Sequence, residues 1–189
     1  MQRIVNSKWK KFKALRTNPL LAPHLPKTGR FTKSNLKSML DSFGMVYVKP
    51  DRGTFGIGVI RVEKRRRKYR VRIGVESRSY PSFNGVYNVI CRRIRRKSYL
   101  VQQGIDMLKY RGRLFDLRVM VQENPRRRME CTGIIGRVAH PKKIITNYHG
   151  GGRLKPAKTL LAPHVPKRKL NRFIGKLKRL GVLTGRTLR

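Results

Sequence analysis

VKPDRGTFGIGV, residues 48–59, decides how this chain is read. Lys49 closes one apolar run, a loop spaced by Gly53, Gly56 and Gly58 follows, and a second apolar run begins at once. A Walker loop needs GxxxxGK[ST] leading into a helix, whereas a strand follows here. A glycine-rich hairpin works differently: without Cβ atoms its backbone can close on phosphates and offer N–H donors, with Lys49 as the point charge. The same spacing suits a plain hairpin whose glycines relieve turn strain. Taken alone, the loop leaves both readings open.

The flanking segments supply its setting. MVYVK (45–49) and IGVIRVE (57–63) read as strands on either side of the loop. Before them, Leu36, Met39, Leu40 and Phe43 recur at helical spacing, with Thr32 as N-cap and Gly44 as stop, so a helix is expected near 33–43. YRVRIGV (69–75) alternates Tyr69, Val71, Ile73 and Val75 against Arg70 and Arg72, the pattern of a half-buried antiparallel strand, which makes EKRRRK a hairpin tip. Phe83, Val86, Tyr87, Ile90 and Ile94 mark a helix within 82–97, capped by Ser82 and ending in cationic RRIRRK, where the helix dipole favours positive charge.

Further on, SYLVQ (98–102) reads as a buried strand. LFDLRVMVQ (114–122) alternates without a break and puts Asp116 and Arg118 on one face. CTGIIGRVA (131–139) is a further strand leading towards the loop NYHGGG (147–152), and a last helix begins after Pro166 with Gly181 near its end. The echo of LLAPHLPK (20–27) in LLAPHVPK (160–167) is too short for a structural repeat. The pattern predicts one α+β domain with a largely antiparallel core.

Charge is the compositional anomaly. The 189 residues hold 48 Lys and Arg against 8 Asp and Glu, a formal net charge of +40. Such a chain repels itself and calls for anionic partners: nucleic acid, nucleotide phosphates, acidic polymers or anionic membrane surfaces. With 39% hydrophobic residues it is still a foldable composition and not a disordered basic tail. Cys91 and Cys131 form no CxxC pair, which argues against a zinc ribbon or a disulfide scaffold and fits a reduced, cytoplasmic setting. No apolar run approaches the roughly 20 residues that span a bilayer. The opening MQRIVNSKWKKFKALR lacks a signal peptide's apolar core and reads as a basic amphipathic helix with Val5, Trp9, Phe12 and Leu15 near one face, docked on the domain in preference to a membrane surface.

Taken in order, KPDRGTFGIGV, a helix, YLVQQGI, FDLRVMV and TNYHGGG resemble the ATP-grasp superfamily. MQRIVNSKWKK, MLDSFGMVYVKP and IIGRVAHPKKIITNYHGGG are similar to its endospore-coat-associated branch, the YheC/YheD type. The resemblance covers about residues 1–160. It implies an ATP-grasp-like fold of two largely antiparallel sheet and helix lobes around a nucleotide cleft. On this chain that gives N-terminal helices at 1–43, a glycine-loop lobe at 44–97, a second lobe at 98–160 and a basic C-terminal helix at 161–189.

The resemblance also implies roles. Lys49 matches the lysine that contacts the α- and β-phosphates of ATP, under a lid formed by Gly53, Thr54, Gly56 and Gly58. Gln102, Gln103 and Ile105 match the hinge that receives adenine, although many relatives carry glutamate where Gln103 stands. Asp116 corresponds to an acidic residue near the ribose, Arg118 to a catalytic basic residue at the substrate or phosphate end, and Thr146 and Asn147 to the loop near the triphosphate.

The implied chemistry is ATP-dependent carboxylate activation through an acylphosphate captured by an amine or thiol, with Mg2+ bridging phosphate oxygens. The family follows its asparagine loop with an aspartate and an E-x-N element, and no Asp or Glu follows Glu130 here. His140, His149, Asn147 and Cys131 fit no familiar zinc spacing, and imidazole is a poor ligand for magnesium. The expectation is therefore a C-terminally truncated, catalytically impaired nucleotide-binding relative, associated with the spore in a sporulating bacterium. Two other readings stand beside it: an active ligase that takes metal ligands from elsewhere, and a basic protein with an idle cleft that engages nucleic acid or an acidic coat component through charge.

Overall fold

The computed structural model describes residues 6–140 and 152–189. The chain divides into two compact units, Met1–Lys13 with Leu25–Asp106 and Ala14–His24 with Met107–Arg189.

The first unit opens with the start of α1 (Lys8–Arg16) and continues through β1 (Thr28–Arg30), α2 (Lys33–Phe43), β2 (Met45–Pro50), β3 (Ile60–Arg65), β4 (Lys68–Ile73), β5 (Glu76–Tyr80), α3 (Phe83–Ile94) and β6 (Tyr99–Gln103). Its six strands form one antiparallel sheet in the order β1-β6-β2-β3-β4-β5. The helix caps follow from the sequence. Thr32 and Ser82 accept the Asn35 and Gly85 N–H groups, and Gly44 takes φ 67° so that its own N–H reaches the Leu40 carbonyl. A side-chain N-cap of this kind contributes about 1 kcal/mol.

Strand alternation sorts the sheet into two faces. Val46, Val48, Ile60, Val62, Val71 and Val101 are buried on one face and pack with Leu36, Met39 and Leu40 of α2 and Val86, Ile90 and Ile94 of α3. Tyr47 and Lys49 alternate with the valines and therefore point to the opposite face. The register carries Thr28, Gln102, Tyr47, Arg61, Arg72 and Ser77 across that face in a single cross-strand row. The core face is thus apolar and its reverse is polar and cationic.

Several boundaries differ from the sequence expectation. The strand expected from residue 57 begins at Ile60, because Gly56 and Gly58 hold φ 75° and the chain is still turning there. The strand expected to reach Val75 ends at Ile73; Gly74 turns at φ 60°, and Val75 is exposed instead of joining the apolar face. β5, which was not expected, pairs along β4. α3 stops at Ile94 and not near 97, where Arg95 adopts φ 51° and donates its N–H to the Cys91 carbonyl.

The second unit contains a 3-10 turn (Ala22–His24), β7 (Lys109–Tyr110), β8 (Arg113–Glu123), β9 (Met129–Val138), β10 (Arg153–Pro156), α4 (Ala157–Leu161) and α5 (Lys167–Leu188). Its antiparallel sheet runs β10-β9-β8-β7. Met120 faces Gly133 and Val121 faces Cys131, which leaves Thr132 as the extra residue of a β-bulge in β9. Phe115, Val138 and Leu160 form its buried centre, flanked by Tyr110 and Leu117. α5 runs through Gly181 to Leu188 instead of stopping there, since Gly181 is where the helix meets the sheet: a Cβ at that position would lie 2.5 Å from Val119 Cγ1. The basic C-terminal helix therefore covers β8 and β9.

Candidate nucleotide site

Lys49 lies on β2 with its ammonium turned into the polar row of the first sheet. Its Nζ donates to Gln102 Oε1 at 2.7 Å, and Gln102 Nε2 donates to Thr28 Oγ1 at 2.9 Å. The same Nζ stands 5.1 Å from the centre of the Tyr47 ring. Burial lowers the Lys49 pKa to about 8, and the positive charge of Lys8 adds to the effect. No carboxylate contributes to that shift. A partly dehydrated cation held by a neutral amide keeps a strong electrostatic demand for an anion.

The loop that follows is fixed at its base and exposed at its tip. Ser7 donates from its hydroxyl to the Asp51 carboxylate at 2.9 Å, and the Trp9 N–H donates to Asp51 Oδ1 at 2.8 Å. Lys8 Nζ donates to the carbonyls of Pro50 and Gly53, each at 2.9 Å. Arg30 lies 5.1 Å over the Trp9 ring, so the start of α1 is docked on this unit. Burial would raise the Asp51 pKa, but the Trp9 N–H, the Ser7 hydroxyl and the nearby Arg30 and Lys8 charges outweigh it and hold the carboxyl below its usual range.

Two successive turns shape the tip, with Ile57 N–H donating to the Thr54 carbonyl and Val59 N–H to the Gly56 carbonyl, both at 3.3 Å. Phe55, Gly56 and Gly58 have φ of 57°, 75° and 75°, and Gly53 has 114°. Gly58 is required twice over: its φ is positive, and a Cβ there would meet the Tyr99 hydroxyl at 2.8 Å. Phe55 and Ile57 are exposed at the tip, apolar groups presented by a loop anchored at one end.

The hinge residues separate. Gln102 faces Lys49, whereas Gln103 accepts the Lys27 N–H at 3.1 Å through its side chain, and Ile105 is exposed. In the second unit Arg137 binds Asp116 through two nitrogens at 2.9 and 2.6 Å, and Arg118 approaches the same carboxylate at 3.4 Å, so the pair that shares a face by alternation is in contact. Thr146, Asn147 and His149 lie outside the described residues. Sequence reasoning missed Thr28, Tyr47 and Lys8. Tyr47 carried a signal, two residues before Lys49 and hence on its face; Thr28 and Lys8 arrive from distant segments and carried none.

The described residues do not fit a magnesium ion. Among the described residues no group of three or more His, Cys, Asp or Glu side chains could hold a metal. Asp116 is engaged by two guanidinium groups, and Glu63, the buried acid of the first sheet, binds both Arg61 and Arg65. A hard dication needs carboxylate oxygens that are not already neutralised.

Two antiparallel units, a lysine strand running into a glycine loop, and a glutamine-bearing strand beside it define an ATP-grasp architecture, and the chain belongs to the YheC/D like ATP-grasp family, whose sequence model matches residues 2–188. The family uses ATP and Mg2+. Among curated proteins the chain is similar to the endospore coat-associated protein YheD of Bacillus subtilis (strain 168), 23% identical over 155 residues. The match takes in 79% of this chain and 34% of YheD, so the chain spans about a third of that relative's length. No helix among the described residues is long and apolar enough to cross a membrane.

Proposed function

We propose that this chain is a nucleotide-binding protein of ATP-grasp type, in which Lys49 meets the phosphates of ATP, the Gly53–Gly58 loop folds over them with Thr54, and the strand carrying Gln102 and Gln103 with Ile105 receives the adenine. Asp116 and Arg118 serve the ribose and the substrate end, with Thr146 and Asn147 beside the triphosphate. The observation that carries this reading is the Lys49 ammonium: it is partly buried, its pKa is lowered to about 8, and it donates a hydrogen bond to the neutral amide of Gln102. A phosphate would supply the countercharge that Gln102 cannot.

The ancestral chemistry is carboxylate–amine or carboxylate–thiol ligation through an acylphosphate, and these 189 residues bind nucleotide without completing it unaided. The reason is the engaged state of Asp116 and Glu63. Association with the spore coat follows the name of the YheD relative and belongs to the same proposal. A second reading, a basic protein that binds nucleic acid or acidic polymers with an idle cleft, rests on the net charge of +40.

Thermal denaturation with and without ATP separates the two. ATP should raise the Tm of the wild-type chain, and Lys49→Ala should remove most of that rise; equal rises in both proteins would reject the phosphate role of Lys49.

A further inference from the structure

The row that begins at Thr28, Gln102 and Tyr47 does not end at the nucleotide residues. It continues onto the β3–β4 hairpin, where Arg61 of β3 stands directly opposite Arg72 of β4, and Glu63 directly opposite Arg70. Like charges placed opposite each other across a strand pair destabilise it, so the arrangement lacks a structural motive. Glu63, 9% exposed, binds both Arg61 and Arg65, so a single acid is shared between two guanidinium groups and offsets the opposition only in part. Arg61 Nε is buried without a hydrogen-bond partner. Buried donors in native proteins nearly always have an acceptor.

These side chains line a hollow of about 260 Å³ formed by Arg61, Glu63, Arg70, Arg72, Val75 and Ser77, all of the first unit. It lies just below the roughly 300–1,000 Å³ of sites for drug-sized molecules. Three guanidinium groups against one acid, with a hydroxyl and one apolar wall, match a compact polyvalent oxyanion. Guanidinium forks bind carboxylate and phosphate oxygens in pairs, which a lysine cluster would not do.

We propose that the Arg61–Arg70–Arg72 hollow is a second anion site, which binds a small oxyanion carrying two or more negative charges, either a phosphate or a polycarboxylate. The site stands apart from the nucleotide reading: it uses none of the residues assigned to ATP, and its ligand relieves the Arg61–Arg72 opposition on its own.

Calorimetric titration of the whole chain with pyrophosphate and with citrate, at matched ionic strength, tests it. Pyrophosphate or citrate should bind more tightly than chloride, and the tighter of the two names the oxygen chemistry. Arg70→Gln and Arg72→Gln should each weaken that binding about tenfold or more. Arg168→Gln, an equal charge loss on exposed α5, should leave it within about twofold. Arg70 is exposed, so its variant folds even if Arg72→Gln does not. Unchanged binding in Arg70→Gln, an equal loss in Arg168→Gln, or no binding of either anion beyond chloride would overturn the proposal.

Discussion

Lys49 and Gln102 sit on adjacent antiparallel strands, and the 2.7 Å bond from ammonium to amide joins the strand before the glycine loop to the strand of the hinge. Thr28 extends the relay to the edge strand, because Gln102 Nε2 donates to its hydroxyl. The glutamine thus fixes where the ammonium points while leaving its charge uncompensated.

That charge sets a pH dependence. In the unfolded chain an ordinary lysine titrates near 10.5, whereas Lys49 titrates at about 8. Between these values the unfolded chain holds a proton that the native one has released, so its contribution makes stability rise with pH from about 8 towards 10.5; below about 8 both states are charged and the burial cost is fully present. ATP should favour the ammonium, so its binding should take up a proton and weaken as pH rises above 8, by up to about tenfold per pH unit. Calorimetry in buffers of different ionisation enthalpy checks the uptake. Lys49→Arg, charged throughout, should flatten the profile.

Gly58→Ala should both strain the loop and crowd Tyr99. Positive φ costs a non-glycine residue about 1–2 kcal/mol. The contact with the Tyr99 hydroxyl at 2.8 Å adds to it. Denaturant melts of Gly58→Ala, Tyr99→Phe and the double variant should show partial recovery in the double variant, since removing the hydroxyl relieves the clash but leaves the backbone strain. Complete additivity would place the two residues out of contact.

Two glycines of α5 should respond with opposite sign. At Gly181 a methyl would press on Val119, a stiff β-branched side chain, so Gly181→Ala should destabilise by about 1–3 kcal/mol. At Gly175 a new Cβ would meet only the end of the Arg179 side chain at 3.6 Å, so Gly175→Ala should stabilise by about 0.5–1 kcal/mol through helix propensity. Chemical denaturation of both variants checks the pair.

Asp51→Asn should loosen the start of α1, because one carboxylate takes the Ser7 hydroxyl and the Trp9 N–H and faces Arg30 at 3.7 Å. The Asp51 pKa is lowered in the fold, so its contribution is present above the ordinary carboxylate range and is lost as pH falls through the native value. Trp9 is the only tryptophan, and its fluorescence against pH should show an acid transition in the wild type that the variant lacks.

Much of this could be read from the residues. α2 was legible to its caps, because Thr32 and Gly44 bracket an uninterrupted helical period. The face shared by Asp116 and Arg118 was legible from alternation. β5 was not: ESRSY has no apolar alternation, and its pairing is set by β4 beside it. β1 and β10 are short and polar for the same reason. The full run of α5 was hidden because glycine ordinarily ends helices, and only the closeness of Val119 explains Gly181 within one. At the candidate site the lysine and glycines announced themselves, whereas the Thr28–Gln102–Lys49 relay depends on strand order, which no local pattern records.

The most direct test is the ATP dissociation constant of the wild-type chain and of Lys49→Ala, measured by equilibrium dialysis near neutral pH. The account predicts saturable binding that weakens at least about tenfold on loss of the ammonium. Equal affinity in the two proteins, or no saturable binding in the wild type, would contradict it.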